Sequence, residues 1–370
     1  MGQFQSGFNK KLYLLAFLGL AVFLLAGCIS IKSTPQLGPV GVLGVYKTAD
    51  AAATWQQSNS FLNVEAKALT IGDVSVNKIV MDPSDHFTLY LASNVGLFYS
   101  YTGAQSWQRD DYFADTPIND VAVDYADKCN VYVAKDNSVY RSTDCMRTWQ
   151  RVYLDSRSKF QITELKTDKY PKNKNFVYAG TNTGDVLKSL DSGATWNTIK
   201  RLQSPIAQIL IDKDDTRIIY VATDTGGIFK TIDGGTTWSD ANIGMDINQG
   251  LNQFPDARTF FRLVQDMTAK NTLIMASRYG LTKTTDGGAS WSAIKLITPE
   301  RSANIYSLAI DPKNSKNIYY GTETIIYKSI DAGVNWSTQQ APTSGLVNFF
   351  LIDPQDSKTI YLGGKAIKKK

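Results

Sequence analysis

Few side chains in this sequence are suited to catalysis. His86 is the single histidine and falls in a predicted turn, which excludes a nucleophile–histidine–carboxylate relay and a His-rich metal site. Hydrolysis of a glycoside needs two carboxyl groups facing each other across a cleft. Glu164, in a predicted inner strand, is one candidate. Glu65, Glu300 and Glu323 are the only other glutamates, and thirty aspartates make a partner easy to propose and impossible to choose. Asp212, Asp214 and Asp215 offer a row of oxygen ligands, but they lack the spacing of a calcium loop and stand where turns favour Asp. No glycine-rich segment follows a strand and opens a helix, so a phosphate cradle is excluded as well. The residues predict neither a metal nor a cofactor.

Charge adds a further exclusion. The chain holds 39 basic and 34 acidic residues, but Lys10, Lys11, Lys365 and Lys368 to Lys370 lie near its two ends, and without them the body has 33 basic against 34 acidic residues. Such a body has no general field for a phosphate backbone, and nucleic acid is not an expected partner.

What must position any site is a set of short strands. The acidic residues are nearly all Asp, turn-forming residues are frequent, and no long amphipathic period follows residue 40. All seven tryptophans, Trp55, Trp107, Trp149, Trp196, Trp238, Trp291 and Trp336, close the same short motif at intervals of 42 to 53 residues. A repeat of this length in a strand-rich chain predicts a β-propeller. The best-formed copies, KSLDSGATW, KTIDGGTTW, KTTDGGASW and KSIDAGVNW, place Asp191, Asp233, Asp286 and Asp331 where a carboxylate accepts backbone N–H groups across a hairpin turn. A glycine two residues later permits positive φ. Asp50 and Asp144 hold the same place in weaker copies, Thr102 replaces the Asp in another, and Ala52, Ala104 and Met146 replace the glycine. Those three turns are expected to be strained or differently shaped.

A second pattern also recurs seven times: an apolar strand ending in Asp, a polar turn, and a strand rich in Tyr and small residues. SLAIDPKNSKNIYYGT and FFLIDPQDSKTIYLGG are its clearest copies. It supplies inner strands A and B of a blade, and the Trp motif lies between outer strands C and D. The chain begins with a C–D pair and ends with an A–B pair at 346–364. The prediction for residues 41–370 is therefore all-β: seven four-stranded antiparallel blades, the last closed by N-terminal C–D strands pairing with C-terminal A–B strands, so that no sheet edge is left open.

Residues 1–27 read as an export signal, with Lys10 and Lys11 ahead of the run LYLLAFLGLAVFLLA. The ending Leu25-Ala26-Gly27-Cys28 resembles the bacterial lipobox. That resemblance implies cleavage before Cys28, diacylation of its thiol and a body held by membrane lipid on the outer face of a bacterial membrane. An uncleaved span over residues 12–31 is the alternative. Residues 28–40 then form a lipidated tether that reaches about 40 Å when extended.

The Trp motifs resemble Asp boxes, Ser/Thr-x-Asp-x-Gly-x-Thr-Trp. Over residues 41–364 the chain resembles the superfamily of sialidases, xyloglucanases and sortilin ectodomains, and in scale most nearly the photosystem II assembly/stability factor propellers. The resemblance implies that the box residues are structural and lie on the face away from any ligand. It also implies that function belongs to the opposite face, made by D–A and B–C connections. Sialidases carry an Arg-Ile-Pro motif near the start, which is absent here; FRLV at 261–264 is a partial echo and leaves Arg262 as a strand residue. Around the predicted ligand face lie Arg109, Arg151, Arg157, Lys159, Lys200, Arg201, Arg258, Arg262 and Arg301, together with the longest connection, residues 240–257. The reading is a monomeric, lipid-anchored binding or assembly scaffold whose face takes a protein or glycan. The alternative is a glycoside hydrolase of sialidase or xyloglucanase type.

Two cysteines remain. Cys129 falls in an A–B turn and Cys145 in the third Trp motif, between strands C and D. Both turns emerge at the same end of a meander, and export to an oxidising compartment favours a disulfide. Two free thiols, held apart by the intervening strand widths, are the alternative.

Overall fold

The computed structural model describes residues 42–61, 70–169, 176–244 and 249–367. The export signal, Cys28, the tether and Lys368 to Lys370 lie outside the described residues.

Seven four-stranded antiparallel sheets follow one another along the chain. Blade 1 runs from its inner strand Val76–Asp82 through Asp85–Ser93 and Gly96–Ser100 to Gln108–Arg109. Blades 2 to 6 repeat this meander from inner strands Asp120–Val123, Ile162–Thr167, Ile206–Ile211, Phe260–Gln265 and Ser307–Ile310. Blade 7 is composite: Gly44–Thr48 and Gln56–Gln57 join Leu346–Ile352 and Ile360–Lys365. Gly44 pairs with Gly364 and Thr48 with Ile360, so the two ends of the body complete one sheet. Each inner strand touches the next around the ring, and Leu346–Ile352 touches both Ser307–Ile310 and Val76–Asp82. The protein is a closed seven-bladed β-propeller.

Its core lies between blades. One buried cluster joins Tyr90, Ala92 and Leu97 of blade 1 to Val121, Val131 and Val133 of blade 2, and the other pairs of neighbours are held in the same way. The repeated Tyr of strand B fits this role because it buries a ring and still presents a polar tip. The hydroxyls of Tyr132, Tyr220 and Tyr361 donate to carbonyls of the next blade's Trp-marked turn, at Ser192, Gly287 and Gly103.

The Trp-marked turns share one hydrogen-bond pattern. Ser189 Oγ donates to Asp191 Oδ1 (2.7 Å) and accepts the Gly193 N–H (2.7 Å), while Asp191 accepts the N–H and the hydroxyl of Thr195 (2.8 and 2.7 Å). Thr48–Asp50–Thr54 and Ser142–Asp144–Thr148 repeat it, and in blade 1 Thr102 Oγ1 accepts the Ser106 N–H at 3.0 Å in place of a carboxylate. Two successive residues take left-handed conformations, including Ala51 and Ala52 at φ 56° and 68° and Cys145 and Met146 at 58° and 67°. The three turns without the second glycine therefore keep the common shape. The expected strain is present, as positive φ on residues bearing a Cβ, and the expected change of shape is not, because the side-chain clamp sets the backbone.

In blade 4 packing adds a reason for the glycine. Gly235 has φ 101°, and a Cβ there would meet Ile199 Cδ1 of the preceding blade at 2.6 Å. Gly235→Ala is expected to destabilise by about 2 kcal/mol, measured by urea unfolding. An unchanged midpoint would show that the turn relaxes at no cost.

The same clamps predict acid sensitivity. Asp144, Asp191 and Asp233 are held at about 2 by hydroxyl donation from Thr148, Thr195 and Thr237 and then by the N–H groups of those residues; Asp50 is held at about 2 by the hydroxyls of Thr48 and Thr54. A carboxyl whose folded value lies below its ordinary value of 3.8 stabilises the fold above pH 4 and loses that contribution as pH falls through 2. Unfolding midpoints measured from pH 5 to 2 are expected to fall steadily, and Asp233→Asn is expected to flatten the slope.

Cys129 and Cys145 are joined by a disulfide in blade 2, with Cα atoms 3.9 Å apart, and the Cys145 N–H donates to the Cys129 carbonyl. The same cross-turn hydrogen bond links Ala51 to Lys358, Gly103 to Phe87 and Gly234 to Arg217. Strands B and C are directly paired, so the two turns adjoin in the blades where both are described.

Candidate functional site: the axial channel and the connection face

The channel is built by one register position that recurs in all inner strands. Lys78, Asp120, Glu164, Gln208, Arg262, Ser307 and Phe349 each pair with a Gly or Ala of strand B and each stand four residues before the Asp that ends the strand. The partner is small because the next blade's inner strand crosses over it: a Cβ on Gly180 would lie 2.5 Å from Ile206 Cγ2, and one on Gly363 2.5 Å from Val76 Cγ1. A bulge precedes this position in five blades, including those of Lys78, Glu164 and Phe349. The bulged residue turns sideways to its neighbour. Asn77 Nδ2 donates to the Ile118 carbonyl (2.8 Å), Thr163 Oγ1 to that of Ile206 (2.7 Å) and Asn348 Nδ2 to that of Val76 (2.9 Å).

The ring so formed contains a buried ion cluster. Lys78 Nζ lies 2.6 Å from Asp120 Oδ2 and 3.2 Å from Glu164 Oε1. Asp120 also accepts the N–H groups of Val121 and Leu165, both at 2.7 Å. Burial pushes Asp120 up to about 7 against the opposing charge of Lys78. Burial pushes Glu164 up too, but Lys78 and then Lys166 outweigh it and hold Glu164 below the ordinary value. Two carboxyls pushed in opposite directions are the electrostatic form of an acid–base pair, yet here one ammonium sits between them. Arg262, read as a strand residue and counted with the ligand face, lies at the channel position; its guanidinium lies 5.1 Å from the Phe349 ring centre and donates to the Asn348 carbonyl at 3.3 Å. Of this cluster, the residues alone pointed to Glu164 and Arg262 and missed Lys78, Asp120 and Lys166. Their signal was alignment on the strand-ending Asp, which puts a charge at the same place in several apolar strands.

From this ring toward the A–B turns the axis widens into a cavity of about 570 Å³, with walls that include Val80, Leu210, Val264, Leu351 and Lys166 and a mouth near Met267, Pro312 and Pro354. His86, expected in the A–B turn, is the second residue of strand B of blade 1 at this end and meets Asp353 of blade 7 at 2.6 Å. The strand-ending aspartates there hold turns: Asp212 Oδ1 accepts the N–H groups of Asp214 and Asp215, and its Oδ2 accepts Gln265 Nε2.

At the opposite end lie the D–A and B–C connections. Arg157 bridges Asp155 (2.8 Å) and Asp185 (3.1 Å), and Arg201 approaches Asp185 at 3.4 Å. Arg109 pairs with Asp115, Arg301 with Asp256, and Arg258 Nε donates to Asn252 Oδ1. Lys159 is exposed on the connection between blades 2 and 3, whereas Arg151, exposed, and Lys200, half-buried, lie within outer strands Gln150–Leu154 and Asn197–Arg201, Arg151 toward the Trp-turn end of its strand rather than on the connection face. Much of the basic character is thus matched locally. The described part of residues 240–257 is packed: Leu251 and Ala257 are buried against Trp291 and Tyr279, and Asn242 is buried with its Oδ1 accepting the Ile228 N–H. Beside it the Tyr279 hydroxyl donates to Glu300 Oε1 at 2.6 Å, and burial, then the glutamate, pushes Tyr279 up to about 12, which disfavours a phenolate.

A closed ring of seven four-stranded blades around a charged axial channel places the protein among the β-propellers. The chain belongs to the family of the DUF6242 beta propeller domain, whose model matches residues 163–366. No curated protein matches it. Among solved structures, a GH74 xyloglucanase from Xanthomonas campestris is similar, with 18% identity, a TM-score of 0.62 and coverage of 79% of this chain and 51% of that one. YCF48 from Cyanidioschyzon merolae is similar with 12% identity, a TM-score of 0.60 and coverage of 79% and 95%. YCF48 bound to D1 peptide gives 14%, 0.59, 80% and 94%. This chain spans about half the length of the xyloglucanase. These likenesses concern the fold alone.

Proposed function

We propose that the protein is a lipid-anchored extracytoplasmic scaffold that binds a protein or glycan through its D–A and B–C connections and does not turn the ligand over. The observation that carries this reading is the occupation of the channel carboxylates. Lys78 contacts both Asp120 and Glu164, and backbone N–H groups take further lone pairs of Asp120. A glycosidase needs its two carboxyls facing substrate from opposite sides, whereas these two share one cation. The connection face retains the exposed Lys159 on a rigid ring, which suits reversible recognition. The clamp geometry of the Trp-marked turns supports their assignment as Asp boxes, and a YCF48 propeller with bound peptide supports the scaffold class.

Purified protein presented to a glycan array and to peptide ligands, with hydrolysis followed in parallel, is expected to show binding without product. Charge reversal at Lys159 should weaken that binding about tenfold. Release of sugar from a sialoside or xyloglucan, lost in Glu164→Gln protein that still melts cooperatively, would establish the hydrolase instead. Mass spectrometry of the mature N-terminus should find diacylated Cys28 and no residues 1–27; an intact Met1 with unmodified Cys28 would remove the lipid anchor.

A further inference from the structure

Two residues beyond the ion-cluster position, the inner strands carry a second ring: Val80, Ala122, Leu210, Val264, Ala309 and Leu351, with Lys166 in blade 3. One lysine therefore interrupts an apolar ring. The ring below is balanced, Lys78 and Arg262 against Asp120 and Glu164, so Lys166 is the surplus charge. Its one ion pair among the described residues is with Glu164 at 3.7 Å, a carboxylate that Lys78 already holds at 3.2 Å. The Lys166 side chain is 35% accessible, against 12% for Lys78, and forms part of the cavity wall. An ammonium set in an apolar wall is costly unless an anion joins it. The cavity, about 570 Å³, has the size of small-ligand sites; Val80, Leu210, Val264 and Leu351 form its apolar band beside Lys166, and Asp82, His86, Lys169 and Lys213 add polar groups to the rest of its wall.

We propose that this well binds an aliphatic carboxylate, with the acid group on Lys166 and the alkyl chain against Val80, Leu210, Val264 and Leu351. The charge and the chain are recognised by different parts of the cavity, so neither a short acid nor a cationic amphiphile satisfies both. The well opens toward the A–B turns, at the opposite end of the ring from the connection face, and the two sites stand or fall separately.

Calorimetric titration of the whole protein with dodecanoate below its micelle concentration tests the assignment. Saturable binding at one site is expected, with butyrate and dodecyltrimethylammonium each at least about tenfold weaker. Lys166→Met should weaken dodecanoate by about tenfold or more while leaving cooperative melting in place, and Val264→Trp, which fills the well, should abolish binding. Equal affinity in Lys166→Met protein, equal binding of the cationic amphiphile, or no saturation would overturn the proposal. Phosphatidylglycerol vesicles should not compete; competition would move recognition to a membrane surface and overturn it as well.

Discussion

Removal of residues 346–370 is expected to abolish cooperative unfolding, whereas removal of 368–370 leaves all seven sheets whole and should barely move the midpoint. The large deletion takes away both C-terminal strands of blade 7 and leaves Gly44–Thr48 without the partner it pairs with from Gly44 to Thr48. Val347, Ile360 and Leu362, all fully buried, leave a cluster shared with Tyr319 and Ile326 of blade 6. Each such side chain contributes about 1.5–3 kcal/mol, and a domain has only about 5–15 kcal/mol in total. The ring would also lose the bond from Asn348 to the Val76 carbonyl and the contact of His86 with Asp353. Circular dichroism during urea titration reads the outcome, and a truncated protein that unfolds like the full chain would show that the ring does not need its closing blade.

Lys78→Met is expected to cost about 3–5 kcal/mol, the usual penalty for leaving buried charge without its partner. Asp120 and Glu164 would then face each other in a channel where Asp120 is 1% and Glu164 9% accessible. Lys166, at 3.7 Å from Glu164, compensates only in part. Burial already raises Asp120, and removing its main opposing charge raises it further. The loss should therefore be smaller at pH 5 than at pH 8, because a protonated Asp120 no longer repels Glu164. Adding Asp120→Asn to Lys78→Met should recover much of the stability at pH 8. A Lys78→Met midpoint equal to that of the native protein at both pH values would mean that the cluster holds nothing together.

Some of this architecture was readable directly from residues. Each Trp-marked turn is encoded within nine consecutive residues, because a hydroxyl, a carboxylate (in blade 1 the Thr102 hydroxyl) and two left-handed residues clamp one another locally. The seven tryptophans and the half-repeats at the two ends therefore implied blade number and closure. The adjoining of Cys129 and Cys145 was legible for the same reason, since directly paired strands bring their turns side by side. The reshaped turns expected at Ala52, Ala104 and Met146 do not occur, because the clamp outweighs the cost of positive φ on a side chain.

The channel was legible only in fragments. Glu164 stood out as a rare glutamate, but its partners Lys78 and Asp120 lie 86 and 44 residues away in other blades, where each looks like an isolated charge in an apolar strand. Whether they meet depends on five bulges and on closure of the whole ring, which set the rotation of every inner strand about the axis. Arg262, counted with the ligand face from sequence, follows a bulge and takes the ion-cluster position instead. Local sequence determined the turns and the strand pattern, since those rest on neighbours in the chain, and the half-repeats it left at the two ends implied a closure made by residues more than 300 positions apart. The charged axis and its one surplus lysine were decided by tertiary structure, since long-range packing alone brings side chains from different blades to one point.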